Sequence, residues 1–136
     1  MKSKILFLLG LSLLFSCGNN PQNIKSKLWE DFKLSLEEKN LEYLIKNSFD
    51  SIKCIDCDII NSEREYFSKV VFEKYLDKFY NQDLLKGKQY SVFKNDSILR
   101  INYSFRNKFG ELSSNTIYMF DKKEGKFILR GMITVP

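Results

Sequence analysis

The sequence predicts an α+β domain, with N-terminal helices packed on a curved antiparallel β-sheet. Three observations carry this reading. The first half places apolar residues at helical spacing, at Trp29, Phe32 and Leu36 and again at Phe72, Tyr75, Leu76 and Phe79. The last third alternates apolar and polar residues with a period of two, most cleanly from Leu99 to Arg106. Turn signals at Asn95-Asp96, at Asn107–Gly110 and at Lys122–Gly125 divide that third into a four-strand meander.

The elements follow in chain order. Ile24 to Glu38 carries apolar residues at 24, 28, 29, 32 and 36, so one helix is expected there, with Trp29, Phe32 and Leu36 on one face. Asn40 interrupts, and Leu41, Leu44 and Ile45 restart a short second helix that stops at Asn47-Ser48. Phe49, Ile52, Ile55, Ile59 and Ile60 lack helical spacing and predict one or two short strands. Ser62-Glu63-Arg64-Glu65 has the form of a capping box that opens a helix, and Ser68 is a second N-cap candidate. The stripe from Phe72 to Phe79 predicts one helix ending near Asn81, followed by a loop over Leu84–Gly87. Strands are expected around Tyr90 and Val92, over Leu99–Phe105, over Thr116–Phe120, and from Phe127 through Leu129 and Ile133 to Val135.

Residues 1–23 have a different character. Lys2 and Lys4 precede the unbroken apolar run Ile5–Leu14, the n-region and h-region of a secretory signal. Ten residues are too few to span a bilayer, which takes about 20. The run has no polar face, as a core helix would have. Leu14-Phe15-Ser16-Cys17 resembles the lipobox of bacterial lipoproteins, with Phe15 bulkier than is usual there. The resemblance implies cleavage after residue 16 and a lipid on Cys17, with several acyl chains holding the protein stably at a membrane. Gly18–Asn23 then reads as a polar tether, and residues 24–136 as one globular domain. The expected place is the cell envelope, at an outer membrane and facing the periplasm; by resemblance to lipoprotein sorting rules, the lack of an acidic residue close after Cys17 permits transport to an outer membrane and does not set the face.

Composition excludes several functions. The chain has no histidine, which removes Ser-His-Asp and Cys-His nucleophile pairs, His-ligated metals and His general bases. Loss of residues 1–16 takes two lysines from 22 basic residues set against 17 acids, leaving a net charge of +3. That charge is dispersed along the chain, so no nucleic-acid partner is expected. No motif for a cofactor is present.

Some residues invite chemical readings. Cys54-Ile55-Asp56-Cys57 lacks the further ligands of a zinc site. Asp56 and Asp58 disfavour a reactive thiolate, and no βαβ pattern surrounds the pair. In an oxidising compartment two such cysteines often pair, and the alternative is two free thiols. Arg100 and Arg130 would bind an anion if they faced inward, or lie on the solvent face, as the alternation with Leu99 and Ile101 suggests. Trp29, Tyr90, Tyr103 and Tyr118 would line a pocket with polar tips, or fill the core. Asp50, Asp56 and Asp58 lack calcium-loop spacing.

The order of helix, break, short helix, strands, helix and meander resembles the nuclear-transport-factor-2-like superfamily. Trp29-Glu30-Asp31-Phe32 through Asn40-Leu41-Glu42-Tyr43-Leu44 is similar to the opening of such domains. Tyr66-Phe67-Ser68 through Phe72 to Phe79 is similar to the middle helix of small lipoproteins of this type. The resemblance implies a curved sheet closed by helices into a cone. It also implies that an enzyme of this kind would use an Asp, often with a His or Tyr, and the His is missing here. No catalytic residue is assigned. The expected function is a non-enzymatic, lipid-anchored module that binds a small ligand or an envelope protein. The alternative is an immunity or inhibitor protein that neutralises an envelope toxin or hydrolase.

Overall fold

The computed structural model describes residues 25–58 and 63–136. The leader, Cys17, the tether, Ile59, Ile60 and Ser62 lie outside the described residues. Helix α1, Lys27–Glu38, starts where the Ser26 hydroxyl accepts from the Trp29 N–H at 3.2 Å. It ends at Lys39, in the left-handed region at φ 59°. The Asn40 N–H then donates to the Ser35 carbonyl at 2.9 Å. The Asn40 side chain in turn caps α2, Leu41–Lys46, by accepting from the Tyr43 N–H at 3.2 Å. One residue thus closes one helix and opens the next.

Strand β1, Ser48–Cys54, follows directly, and the short β2, Glu65–Phe67, pairs with it antiparallel. The expected capping box is therefore corrected: Glu65 lies opposite Lys53 in a strand. Arg64 turns the chain into that strand at φ 55°. The helix opens instead at Ser68, as α3, Ser68–Lys74. The single helix expected up to Asn81 is also corrected. Tyr75 leaves helical geometry at φ −121°, and the stripe continues as the single turn α4, Leu76–Phe79. The expected loop after it contains one more turn, α5, Gln82–Leu85, capped by the Asn81 side chain on the Leu84 N–H at 3.2 Å.

The remaining strands are β3, Ser91–Lys94; β4, Ile98–Arg106; β5, Leu112–Lys123; and β6, Lys126–Val135. They form the expected meander within a six-stranded sheet of order β2-β1-β6-β5-β4-β3. The expected antiparallel sheet proves to be mixed, because β1 pairs parallel with β6. A parallel pair needs a long crossover, which the helices and the meander between the two strands supply.

The helices cover one face of this sheet, and the core lies between the two layers. Trp29, Phe32 and Leu36 meet Leu99, Ile101 and Tyr103 of β4, Tyr118 and Phe120 of β5, and Leu129 and Met132 of β6. Leu129 and Met132 are three apart, a spacing that a regular strand would send to opposite faces. The register slips between Met119 and Phe120, which pair with Gly131 and Leu129. Arg130 is the extra residue of this bulge, so both apolar side chains reach the core.

Candidate functional site

Trp29, Tyr103 and Tyr118 are brought together as core, and of the three Tyr118 also borders an open cleft. All three are buried to 1 % exposure or less. The Trp29 ring stacks on Tyr118 with centroids 4.6 Å apart. Its indole N–H donates to the Tyr103 hydroxyl at 2.9 Å, and the Tyr118 hydroxyl donates to the Phe79 carbonyl at 2.7 Å. The polar tips that would have met a ligand are engaged within the fold. Burial pushes the Tyr103 phenol up to about 12 and the Tyr118 phenol well above the ordinary tyrosine value. Both remain neutral at physiological pH.

Tyr90 sits at the border of this cluster. It packs near Tyr103, and its hydroxyl donates to the Glu30 carboxylate. Burial works against the Glu30 charge, but the bond from Tyr90 and the Lys33 ammonium at 3.1 Å outweigh it and hold the carboxyl below its usual range.

Arg100 and Arg130 do not meet these aromatics. Arg100 alternates with buried Leu99 and Ile101 and lies on the sheet face away from the helices. There it pairs with Asp121 at 3.1 Å and donates to the Phe120 carbonyl at 2.9 Å. Arg130, raised on the β6 bulge, lies over the Phe49 ring at 4.8 Å. Of the two placements the sequence offers, Arg100 takes the outward one, as strand alternation suggests, and each arginine has a different partner. Cys54 and Cys57 are joined as a disulfide in the turn after β1, with Cα atoms 5.4 Å apart. Among the described residues, no group of three or more Cys, Asp and Glu is placed to hold a metal ion.

The open space lies at the margins of the core. One cleft, of about 200 Å³, has both signs of charge at its mouth: Asp56, Asp77 and Lys78 stand over Phe79, Phe105 and Tyr118. Another, of about 270 Å³, is more apolar than the first. It opens between α1, α2 and the β5–β6 hairpin. Leu28 and Phe32 reach it from α1, Tyr43 from α2, and Phe120 and Phe127 from the hairpin. Asn47 and Lys126 complete its wall.

Helix geometry explains the α1 side of this second cleft. Leu28 and Phe32 are four apart and stack along the border of the buried stripe, so Phe32 serves the core and the cleft together. Phe32 meets Tyr43 edge-on at 6.1 Å and Phe120 at 5.4 Å, which fixes the floor. The Asn47 amide is held by donating to the Tyr43 carbonyl at 2.8 Å. Sequence reasoning missed Tyr43, Phe127 and Lys126. The available signal was weak: Leu28 sits just off the α1 stripe, and Phe127 opens β6 beside a turn rich in lysine.

No model of a known protein family matches this chain, and no curated protein matches it. Among solved structures it is similar to a substituted variant of the designed protein Rd1NTF2_05. The TM-score is 0.50 at 14 % identity, over 80 % of this chain and 94 % of that one. The fold is therefore nuclear-transport-factor-2-like, with helices packed against a curved mixed sheet. The likeness concerns the fold and carries no activity with it.

Proposed function

We propose that this chain is a lipid-anchored binding module of the cell envelope that holds a small, largely apolar ligand. One observation carries the ligand reading: the core is filled by aromatics, yet a cleft of about 270 Å³ stays open beside it, walled by Leu28, Phe32, Tyr43, Phe120 and Phe127. Concave, mostly apolar walls with a few polar groups are what a small-molecule site requires. The anchor reading rests on Lys2, Lys4, the run Ile5–Leu14 and the lipobox-like Leu14–Cys17. The place it implies is an outer membrane, with the domain facing the periplasm.

Native mass spectrometry of the protein recovered gently from the producing cell tests the ligand. The expected result is an added mass that leaves on denaturation and is missing when Leu28→Trp fills the cleft. A bare protein in both forms would overturn the reading. Labelling with an alkyne fatty acid tests the anchor. The expected label is on Cys17 as the first residue of the mature chain, and the Cys17→Ala protein stays unlabelled.

A second reading, an immunity or inhibitor protein, is favoured by the sheet face that no helix among the described residues covers. There Phe93 is 58 % exposed beside Ile117, Met119 and Ile133. The Asn102 side-chain oxygen is buried among them without a hydrogen-bond partner. Recovery of a stoichiometric protein partner, lost in Met119→Asp, would move the assignment to this reading.

A further inference from the structure

We propose that the cleft between α1, α2 and the β5–β6 hairpin takes a small amphipathic carboxylate, with its tail among the aromatics and its head at Lys126, Lys94 and Lys122. This inference rests on the small-ligand reading above and names the ligand's chemical class. Size comes first. A cavity of about 150 Å³ admits benzene, and sites for drug-sized molecules begin near 300 Å³. At about 270 Å³ the cleft suits one ring or a short acyl chain and excludes a full-length lipid tail.

Charge decides the head group. Among the described residues, the wall contains one ionisable cation, Lys126, and no carboxylate. Phe127, the outermost aromatic of the wall, carries two more cations. The Lys122 ammonium lies 5.2 Å from its ring centroid and the Lys94 ammonium 5.5 Å. Two strands, β3 and β5, therefore hold lysines over a single ring, and Lys126 of β6 lines the same cleft. The acid nearest in sequence, Asp121, is engaged by Arg100 at 3.1 Å on the other face of the sheet. Lys126 also borders a polar cleft in which the acids Asp50 and Glu124 stand with Lys46 and Lys123, whereas Lys94 and Lys122 do not line that cleft. An apolar slot with an excess of cations at its mouth favours a molecule with an apolar body and an anionic end. An ammonium head would be repelled, and a neutral head would gain nothing from the rim.

The test is calorimetric titration of the protein as the cell produces it, with any anchor held in zwitterionic nanodiscs and empty nanodiscs as the blank. The probes are octanoate, octanol and octylammonium, which share one tail. The expected order is octanoate tightest, by about tenfold over octanol, the scale of one well-placed charge-assisted contact. The combined change Lys94→Glu, Lys122→Glu and Lys126→Glu removes that preference, read as the ratio of octanoate to octanol affinity. All three side chains are exposed, so the variant keeps its fold. Leu28→Trp abolishes binding of all three probes.

Equal binding of octanoate and octylammonium would overturn the proposal, as would an octanoate preference that survives the triple lysine change. In either case an added mass in native mass spectrometry would still leave the binding module standing. Octanoate heat that persists in Leu28→Trp would place the ligand elsewhere and overturn the assignment of this cleft. Failure of all three probes together with a bare native mass would remove both readings.

Discussion

The Tyr103 hydroxyl is the acceptor for the one tryptophan of the chain, deep between the helix layer and the sheet. Removing it in Tyr103→Phe preserves ring packing but leaves the Trp29 indole N–H buried and unpaired. The expected loss is about 1–3 kcal/mol, the desolvation penalty of an orphaned donor, read from denaturant unfolding. An unchanged midpoint would mean that water or another acceptor reaches the indole. Gly131 is constrained by backbone rather than by side-chain chemistry. Its φ is +146°, and a Cβ there would overlap the backbone nitrogen and oxygen of Lys53 on the parallel neighbour β1. Neither atom can swing aside, so Gly131→Ala is expected to lose at least about 1–3 kcal/mol through strain. Gly125, at φ +80° in the β5–β6 turn, has open space around its Cβ position. Gly125→Ala is the control and should lose only about 1 kcal/mol. Equal losses in the two variants would mean that β1 does not lie against Gly131 as described.

At the scale of elements, Asn40 links two helices, and Asn40→Ala should reduce stability by about 1 kcal/mol, the usual value of an N-cap side chain. Fluorescence of Trp29 during urea unfolding reads this directly. The disulfide between Cys54 and Cys57 closes a loop of separation three. A loop that short restrains the unfolded chain little, by about 2 kcal/mol on chain entropy. Reduction should therefore lower the melting temperature without unfolding the domain, and loss of all structure on reduction would contradict this. These elements also show where sequence patterns inform and where they stop. The α1 stripe, the Asn40 break and the β4 alternation are local periodicities, and each was readable from the side chains alone. The division at Tyr75 and the strand at Glu65 were not readable. Tertiary pairing with Lys53 overrode a capping-box pattern that was locally sound. The parallel β1–β6 pair depends on a glycine and a bulge far along the chain, which no window around β1 contains. The cleft failed to announce itself for the same reason: Leu28, Tyr43 and Phe127 come from three elements, and only the fold brings them together. The arginines and tyrosines singled out by residue type proved to be partnered within the fold.

For the whole molecule, the filled aromatic core sets how stability depends on pH. Burial raises the phenols of Tyr80, Tyr90, Tyr103 and Tyr118 above the ordinary value near 10. For Tyr80 and Tyr90 the Glu37 and Glu30 carboxylates add to the rise. A raised phenol is neutral in the folded chain at a pH where the unfolded chain already ionises it. Its contribution is thus complete below the unfolded value near 10 and is lost as pH climbs toward the folded value, about 12 for Tyr103. Glu30 acts in the opposite sense and more weakly, because it is part-exposed and burial opposes its charge. Its folded value is lowered, so its contribution is present above the ordinary glutamate range and fades as pH falls through the folded value. The melting temperature should therefore hold a plateau through neutral pH and drop steeply above pH about 10. Tyrosinate absorbance should rise together with loss of the Trp29 signal, since the buried phenols ionise only as the core opens. Tyr103→Phe should shift the alkaline drop to a less steep one, because one raised group has been removed. Ionisation of all seven tyrosines with an intact Trp29 signal would mean that solvent reaches the buried phenols in the folded state. The aromatic centre would then be a hydrated pocket, and the search for a ligand would return from the Leu28–Phe127 cleft to the interior around Trp29, Tyr103 and Tyr118.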